Sequence, residues 1–118
     1  MKILVVDDDQ DLCRLLSRFL EKHGFQVISA GDALQALDAV EREQVDFVIC
    51  DLMMPVVDGL VFLDMLKSDP RRSNLPVVLI TAHPDQKKAD LSMRKGAAFF
   101  LHKPIDFNRL LAIIRFAE

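Results

Sequence analysis

A chain of 118 residues fits one domain built on a single hydrophobic core. With 51% hydrophobic and 28% charged residues it has the profile of a soluble globular protein, which excludes a disordered chain. The formal net charge of −3 gives no whole-chain pull toward nucleic acid or an anionic membrane, and no apolar run approaches the roughly 20 residues that cross a bilayer. Lys2 is followed at once by a short strand and acids, unlike a signal peptide, and Met1 suggests a domain at the start of its chain. Cys13 and Cys50 fall on an expected helix and an expected buried strand, as free thiols in a reducing cytoplasm would.

Lys2-Ile3-Leu4-Val5-Val6 is a continuous apolar run ending in Asp7-Asp8-Asp9, and reads as strand one. Leu12, Leu15, Leu16, Phe19 and Leu20 then recur at helical spacing, with Arg14, Arg18, Glu21 and Lys22 opposite, and Gly24 stops the helix. Gln26 to Ala30 is strand two. Asp32 caps a second helix carrying Ala33, Leu34, Ala36, Leu37 and Val40. Phe47-Val48-Ile49-Cys50-Asp51 is an unalternating run, the mark of a strand buried on both faces, and it ends in a carboxylate. Leu52 to Gly59 supplies Pro55 and Gly59 and reads as a loop. The third helix carries Leu60, Phe62, Leu63 and Leu66 and ends before Pro70. After a polar loop, Pro76 to Ile80 forms strand four, followed by Thr81-Ala82-His83, and Pro84 suits the first turn of helix four. Gly96 ends that helix, Ala97 to Leu101 is strand five, and His102-Lys103-Pro104 follows. Asp106 or Asn108 starts helix five, with Leu110, Leu111, Ile113, Ile114 and Phe116 on it.

Five short strands alternating with five helices require an α/β fold, a parallel sheet with right-handed crossovers. The usual five-strand order is 2-1-3-4-5, the flavodoxin-like (βα)5 sandwich with helices on both faces. That order brings the C-terminal ends of strands one, three, four and five to one edge. Asp7 and Asp8, Asp51, Thr81 and Lys103 are the polar residues at those ends. Close carboxylates need a counter-charge, and an all-oxygen set favours Mg²⁺, with Mn²⁺ as a substitute, over Zn²⁺. A metal, an ammonium and a hydroxyl around one carboxylate suit the receipt of a phosphoryl group. Each residue also has a plainer reading. Asp7-Asp8-Asp9 serves as a helix cap, Asp51 as a turn acid, Thr81 as a β-branched strand end and Lys103-Pro104 as a surface loop. The joint pattern at four separate strand ends favours the functional reading.

Val5-Val6-Asp7-Asp8-Asp9, Asp51 to Gly59, Thr81-Ala82 and Lys103-Pro104 together resemble the receiver domains of two-component response regulators. The similarity spans essentially the whole chain, so residues 1–118 are expected to form one receiver domain. The resemblance implies that Asp51 accepts a phosphoryl group from a phosphohistidine on a sensor histidine kinase or a histidine phosphotransfer protein. It implies Mg²⁺ held by Asp8, Asp51 and the backbone carbonyl of Met53, with Asp7 acting mainly through an intervening water. Lys103 would pair with a phosphoryl oxygen, and Thr81 would donate to another. Phe100, three residues before Lys103, would swing inward as the switch residue and couple the site to the surface of helix four, strand five and helix five. Through that surface the domain would control an output domain or effector, in the cytoplasm, without binding nucleic acid or membrane itself. It would be a switch rather than an enzyme, catalysing only its own phosphotransfer and dephosphorylation.

Departures from the family pattern carry their own expectations. Phe100 has no hydroxyl, so the switch is steric. Gly96-Ala97-Ala98-Phe99 lacks the acids of many winged-helix regulators, which argues against their salt-bridged dimer, although a phosphorylation-dependent homodimer stays open. Met53 and His83, two residues beyond Asp51 and Thr81, are expected to tune the lifetime of the acyl phosphate. The runner-up function is an aspartyl-phosphate-forming phosphohydrolase. It wants a second acid two residues after the nucleophile, where this chain has Met53. A nucleotide or flavin binder wants a Gly-rich loop after strand one, where Asp7-Asp8-Asp9 stands. A degenerate interaction module would lack a site residue, and none is missing.

Overall fold

Strands that read as unbroken Val, Ile and Leu have no face to give to water, so both faces of their sheet must be covered. A computed structural model describes residues 1–54, 57–83 and 85–118 and shows how this is done. The order is β1 (Lys2–Val6), α1 (Gln10–Lys22), β2 (Gln26–Ala30), α2 (Ala33–Arg42), β3 (Phe47–Asp51), α3 (Gly59–Ser68), β4 (Val77–Thr81), α4 (Gln86–Arg94), β5 (Phe99–His102) and α5 (Phe107–Ala117). The strands pair in parallel in the order β2-β1-β3-β4-β5, the doubly wound arrangement expected from the alternation. Among the described residues no helix is long and apolar enough to cross a membrane.

Successive strand residues point to opposite faces, and the two cores divide accordingly. Leu4, Val6, Val48, Cys50, Val77 and Leu79 pack with Ala33, Ala36 and Val40 of α2 and with Phe62, Leu63 and Leu66 of α3. Ile3, Val5, Phe47, Ile49, Val78 and Ile80 pack with Leu16 and Leu20 of α1 and with Leu110, Ile113 and Ile114 of α5. Burying a Leu, Ile or Phe side chain contributes about 1.5–3 kcal/mol, so these four helices are firmly held. By contrast, Ser92 is the buried residue of α4. Both thiols are buried and free, as expected.

Each of the five described helices is capped by an aspartate. Asp9, Asp32, Asp58, Asp85 and Asp106 accept from the amides of Leu12, Gln35, Val61, Lys87 and Arg109. A carboxylate there satisfies a free amide and meets the positive end of the helix dipole. This resolves Asp106 over Asn108 as the start of α5. It also divides the acidic run, because Asp9 is spent on α1 while Asp7 and Asp8 are not.

Some expected boundaries and buried positions differ. β4 starts at Val77, one residue after Pro76, and includes Thr81. β5 is Phe99–His102 rather than 97–101, because Gly96 leaves α4 with φ +103° and Ala97 N–H still bonds back to the Ser92 carbonyl. Phe116, expected on the apolar face of α5, is 88% exposed. At 100° per residue it lies roughly 110° off the centre of the stripe made by Leu110, Ile113 and Ile114, and it sits in the last turn of the helix. Leu15 and Leu34 are likewise exposed, off the stripes that α1 and α2 bury. The readings at Pro55, Val56 and Pro84 lie outside the described residues.

Candidate functional site

Register decides what meets at the C-terminal edge of the sheet. Val6 pairs with Cys50, so the residues that follow, Asp7 and Asp51, emerge side by side. Asp51 pairs with Ile80, and Thr81 with His102. Ladder-like bonds carry the order one residue further: Asp7 N–H to Ala30 O at 3.0 Å, Leu52 N–H to Ile80 O at 2.7 Å and Lys103 N–H to Thr81 O at 2.7 Å. The backbone therefore delivers acid, acid and lysine to one place before any side-chain contact is considered.

There the Lys103 ammonium lies 3.0 Å from Asp7 Oδ2 and 3.4 Å from Asp51 Oδ2. Asp7 and Asp51 are buried, whereas Asp8 is exposed at the mouth. The other Asp51 oxygen, Oδ1, accepts from Met53 N–H at 3.2 Å, and Asp7 Oδ1 accepts from Asp9 N–H at 2.9 Å. Burial, then the Asp7 charge, pushes the Asp51 carboxyl above its usual range; the Met53 amide and Lys103 pull the other way without prevailing. Burial works to lower the Lys103 ammonium, but pairing with Asp7 and Asp51 outweighs it and the net shift is upward. Under the carboxylates, Cys13 donates Sγ–H to the Asp7 carbonyl, and burial together with Asp7 and Asp9 raises that thiol to about 11. Such a thiol stays protonated and packs as a small apolar group.

Asp7, Asp8 and Asp51 each offer an oxygen, and these oxygens all lie within 4.8 Å of one another. Asp7 Oδ2 is buried and, among the described residues, accepts no hydrogen bond of good geometry, despite the nearby ammonium. Three clustered carboxylates, only two of them paired with Lys103 and one oxygen left over, form a donor set that fits a hard divalent cation. The residues thus fit Mg²⁺.

The other expected site residues stand close by in sequence and play local parts. Thr81 is fully buried, and its Oγ1 accepts from His83 N–H at 3.1 Å, so the hydroxyl is engaged with its own loop. Phe100 is half-buried and packs against the core on the α2 and α3 side. Met53 is 50% exposed, and its described link to Asp51 is through its N–H. Sequence reasoning missed Gly59. A Cβ there would fall 2.7 Å from the Asp51 carbonyl oxygen and 2.8 Å from Leu52 Cα. Only a residue without a side chain lets α3 start so close beneath the acid. Gly59 N–H also donates to Leu52 O at 2.8 Å, which closes the loop behind Asp51.

Comparison with known proteins agrees with this geometry. The family model for the response regulator receiver domain matches residues 3–115. The transcriptional regulatory protein CpxR of Escherichia coli is 40% identical over 114 residues, which is 97% of this chain and 47% of that protein. The DNA-binding response regulator MtrA of Mycobacterium tuberculosis is 37% identical over 97% of this chain and 49% of its own length. The chain thus spans about half the length of these curated relatives. Among solved structures, a response regulator receiver protein from Pseudomonas putida superposes with a TM-score of 0.93 at 26% identity, covering 98% of this chain and 95% of that one. The chemotaxis protein CheY4 of Vibrio cholerae gives 0.92 at 26% identity, covering 99% and 98%. A sheet edge that gathers Asp7, Asp51 and Lys103, and a match that runs nearly end to end, place this chain in the receiver domain family of two-component response regulators.

Proposed function

We propose that Asp51 is the phosphoacceptor of this receiver and that Asp7, Asp8, Thr81 and Lys103 serve the transfer to it. The observation that carries this reading is the meeting of Lys103 with both Asp7 and Asp51 at the ends of separate strands. Asp7, Asp8, Asp51 and the Met53 carbonyl would hold Mg²⁺, which when bound supplies positive charge against the phosphoryl oxygens. In the transfer, an Asp51 oxygen forms the new P–O bond while the P–N bond to a phosphohistidine breaks, its electron pair leaving with the imidazole. Lys103 then exchanges a carboxylate partner for a phosphoryl oxygen, and the Met53 N–H keeps the Asp51 carboxylate oriented. Thr81 gives up its bond within the 81–83 loop to donate to the phosphoryl group. The space this vacates is filled by Phe100, a steric switch of the α4, β5 and α5 surface.

A sensor histidine kinase or histidine phosphotransfer protein is the proposed donor, and an output domain or effector reached through α4, β5 and α5 is the proposed target. The longer relatives are named as transcriptional and DNA-binding regulators. For this domain we propose control of such an output in the cytoplasm, without nucleic-acid contact of its own. Incubation with Mg²⁺ and acetyl phosphate should add one phosphoryl group by intact mass, and beryllofluoride should shift amide signals around residues 51, 81 and 103. Asp51→Asn should abolish both. Equal labelling of the Asn variant would remove Asp51 from the role. Turnover of ordinary phosphate monoesters, which a receiver does not use as donors, would favour the phosphohydrolase reading.

A further inference from the structure

Lys88, on the first turns of α4, is half-buried, and its ammonium rests on the thioether of Met53, with Nζ 3.9 Å from Sδ. A thioether is a weak acceptor and carries no charge. Among the described residues no carboxylate pairs with this ammonium. The nearby acids of its own helix are engaged elsewhere: Asp85 Oδ1 accepts from Lys87 N–H, and Asp90 Oδ1 accepts from the Gln86 side chain. Met53 is the same residue whose N–H donates to Asp51 Oδ1. One residue therefore carries the Asp51 carboxylate on its backbone and an uncompensated cation on its side chain. The acid pocket beneath holds three carboxylates, Asp7, Asp8 and Asp51, against the single ammonium of Lys103. Such a pocket repels any anion that approaches it.

We propose that Lys88, whose ammonium rests on the side chain of the residue that bonds Asp51, is a specificity-determining residue that admits small dianionic phosphodonors to Asp51. This rests on Asp51 being the phosphoacceptor. The ammonium offsets part of the field of the carboxylates along the approach path and raises the local concentration of an anionic donor. Because its partner is a neutral sulfur, it is free to turn toward the donor without breaking an ion pair. The same charge repels a dication, so its effects on donor and on Mg²⁺ have opposite signs. A residue that merely supported the loop would move both in the same direction.

The test uses the full chain with Lys88→Glu, Lys88→Gln and Lys88→Arg, and acetyl phosphate as the probe. Charge reversal should slow labelling of Asp51 about three- to tenfold at low ionic strength, Gln should slow it less, and Arg should retain the rate. The loss should shrink as salt is raised. Mg²⁺ titrations followed by amide shifts, without donor, should show affinity for Lys88→Glu equal to or tighter than the unsubstituted chain. A donor rate that is unchanged or higher in Lys88→Glu, or one that falls together with Mg²⁺ affinity, overturns the proposal. Asp51→Asn runs alongside. If it is still labelled, the phosphoacceptor assignment fails, whatever Lys88 does.

Discussion

The two ends of the sheet treat charge in opposite ways. At the N-terminal end acids and bases are matched. Lys2 Nζ pairs with Glu43 at 2.8 Å, Lys2 N–H donates to Asp46 at 2.8 Å, and Arg71 and Arg72 both hold Asp69 and Glu41. Arg72 also donates to the Val40 carbonyl and so ties the segment after α3 to α2. At the C-terminal end Asp7, Asp8 and Asp51 cluster, Lys103 pairs with only Asp7 and Asp51 of them, and a buried Asp7 oxygen goes without a hydrogen bond of good geometry among the described residues. The difference separates two uses of charge: the first end is balanced within the chain, while the second is complete only with a ligand.

The largest break in this comparison is expected from Gly59→Ala. Its Cβ would collide with backbone, at 2.7 Å from Asp51 O, so α3 or the acid must move. We expect a loss of about 1–3 kcal/mol in urea unfolding, as for other overpacked sites, together with weakened Mg²⁺ binding.

A smaller effect, opposite in sign at the two ends, concerns pH. The Asp51 carboxyl lies above its unfolded value of 3.8, so the folded chain keeps that proton longer than the unfolded one. Its contribution is most favourable below 3.8 and is lost as pH rises through the folded value. Metal-free Asp51→Asn should therefore melt higher than the unsubstituted chain at pH 7, with the gain vanishing below pH 3.8. Asp69 is held at about 2, first by the Arg71 side chain and then by the Arg71 backbone N–H. Its contribution is present above 3.8 and fades as pH falls through 2. Asp69→Asn should accordingly lower the melting temperature near neutrality and flatten the acid limb, and thermal scans from pH 2 to 7 would reveal both signs. Smallest of all is Glu43→Gln, which removes the half-exposed pair with Lys2 and should cost at most about 0.5 kcal/mol.

Much of this was legible before the structure, and the reasons differ from residue to residue. Unbroken apolar runs ending in a polar residue located the strands, and Asp7, Asp51 and Lys103 meet where the strand order placed them. Of the helix caps, Asp32 was evident because Gly31 precedes it and an apolar period follows. Asp9 was hidden inside a run of three like residues, where only the backbone could divide the labour. Composition misled at Phe116, Leu15 and Leu34, apolar residues whose helical phase turns them to water. The slip of β5 arose because two alanines after a glycine say little about where a helix exit ends and a ladder begins. Gly59 and Lys88 depend on close approaches between segments distant in sequence, 8 residues for Gly59 and Asp51 and 35 for Lys88 and Met53. No local pattern reports such distances.

α4 is seated on the sheet chiefly by one small residue. Ser92 is fully buried, yet its hydroxyl is spent on the Lys88 carbonyl of its own helix at 2.7 Å and so grips nothing beneath it. A helix moored this lightly detaches at less free energy than α1 or α5, whose leucines and isoleucines are sunk in the core. Whatever takes hold of this flank of the molecule meets a segment that yields before its scaffold does, and the tug reaches Met53 through a single ammonium.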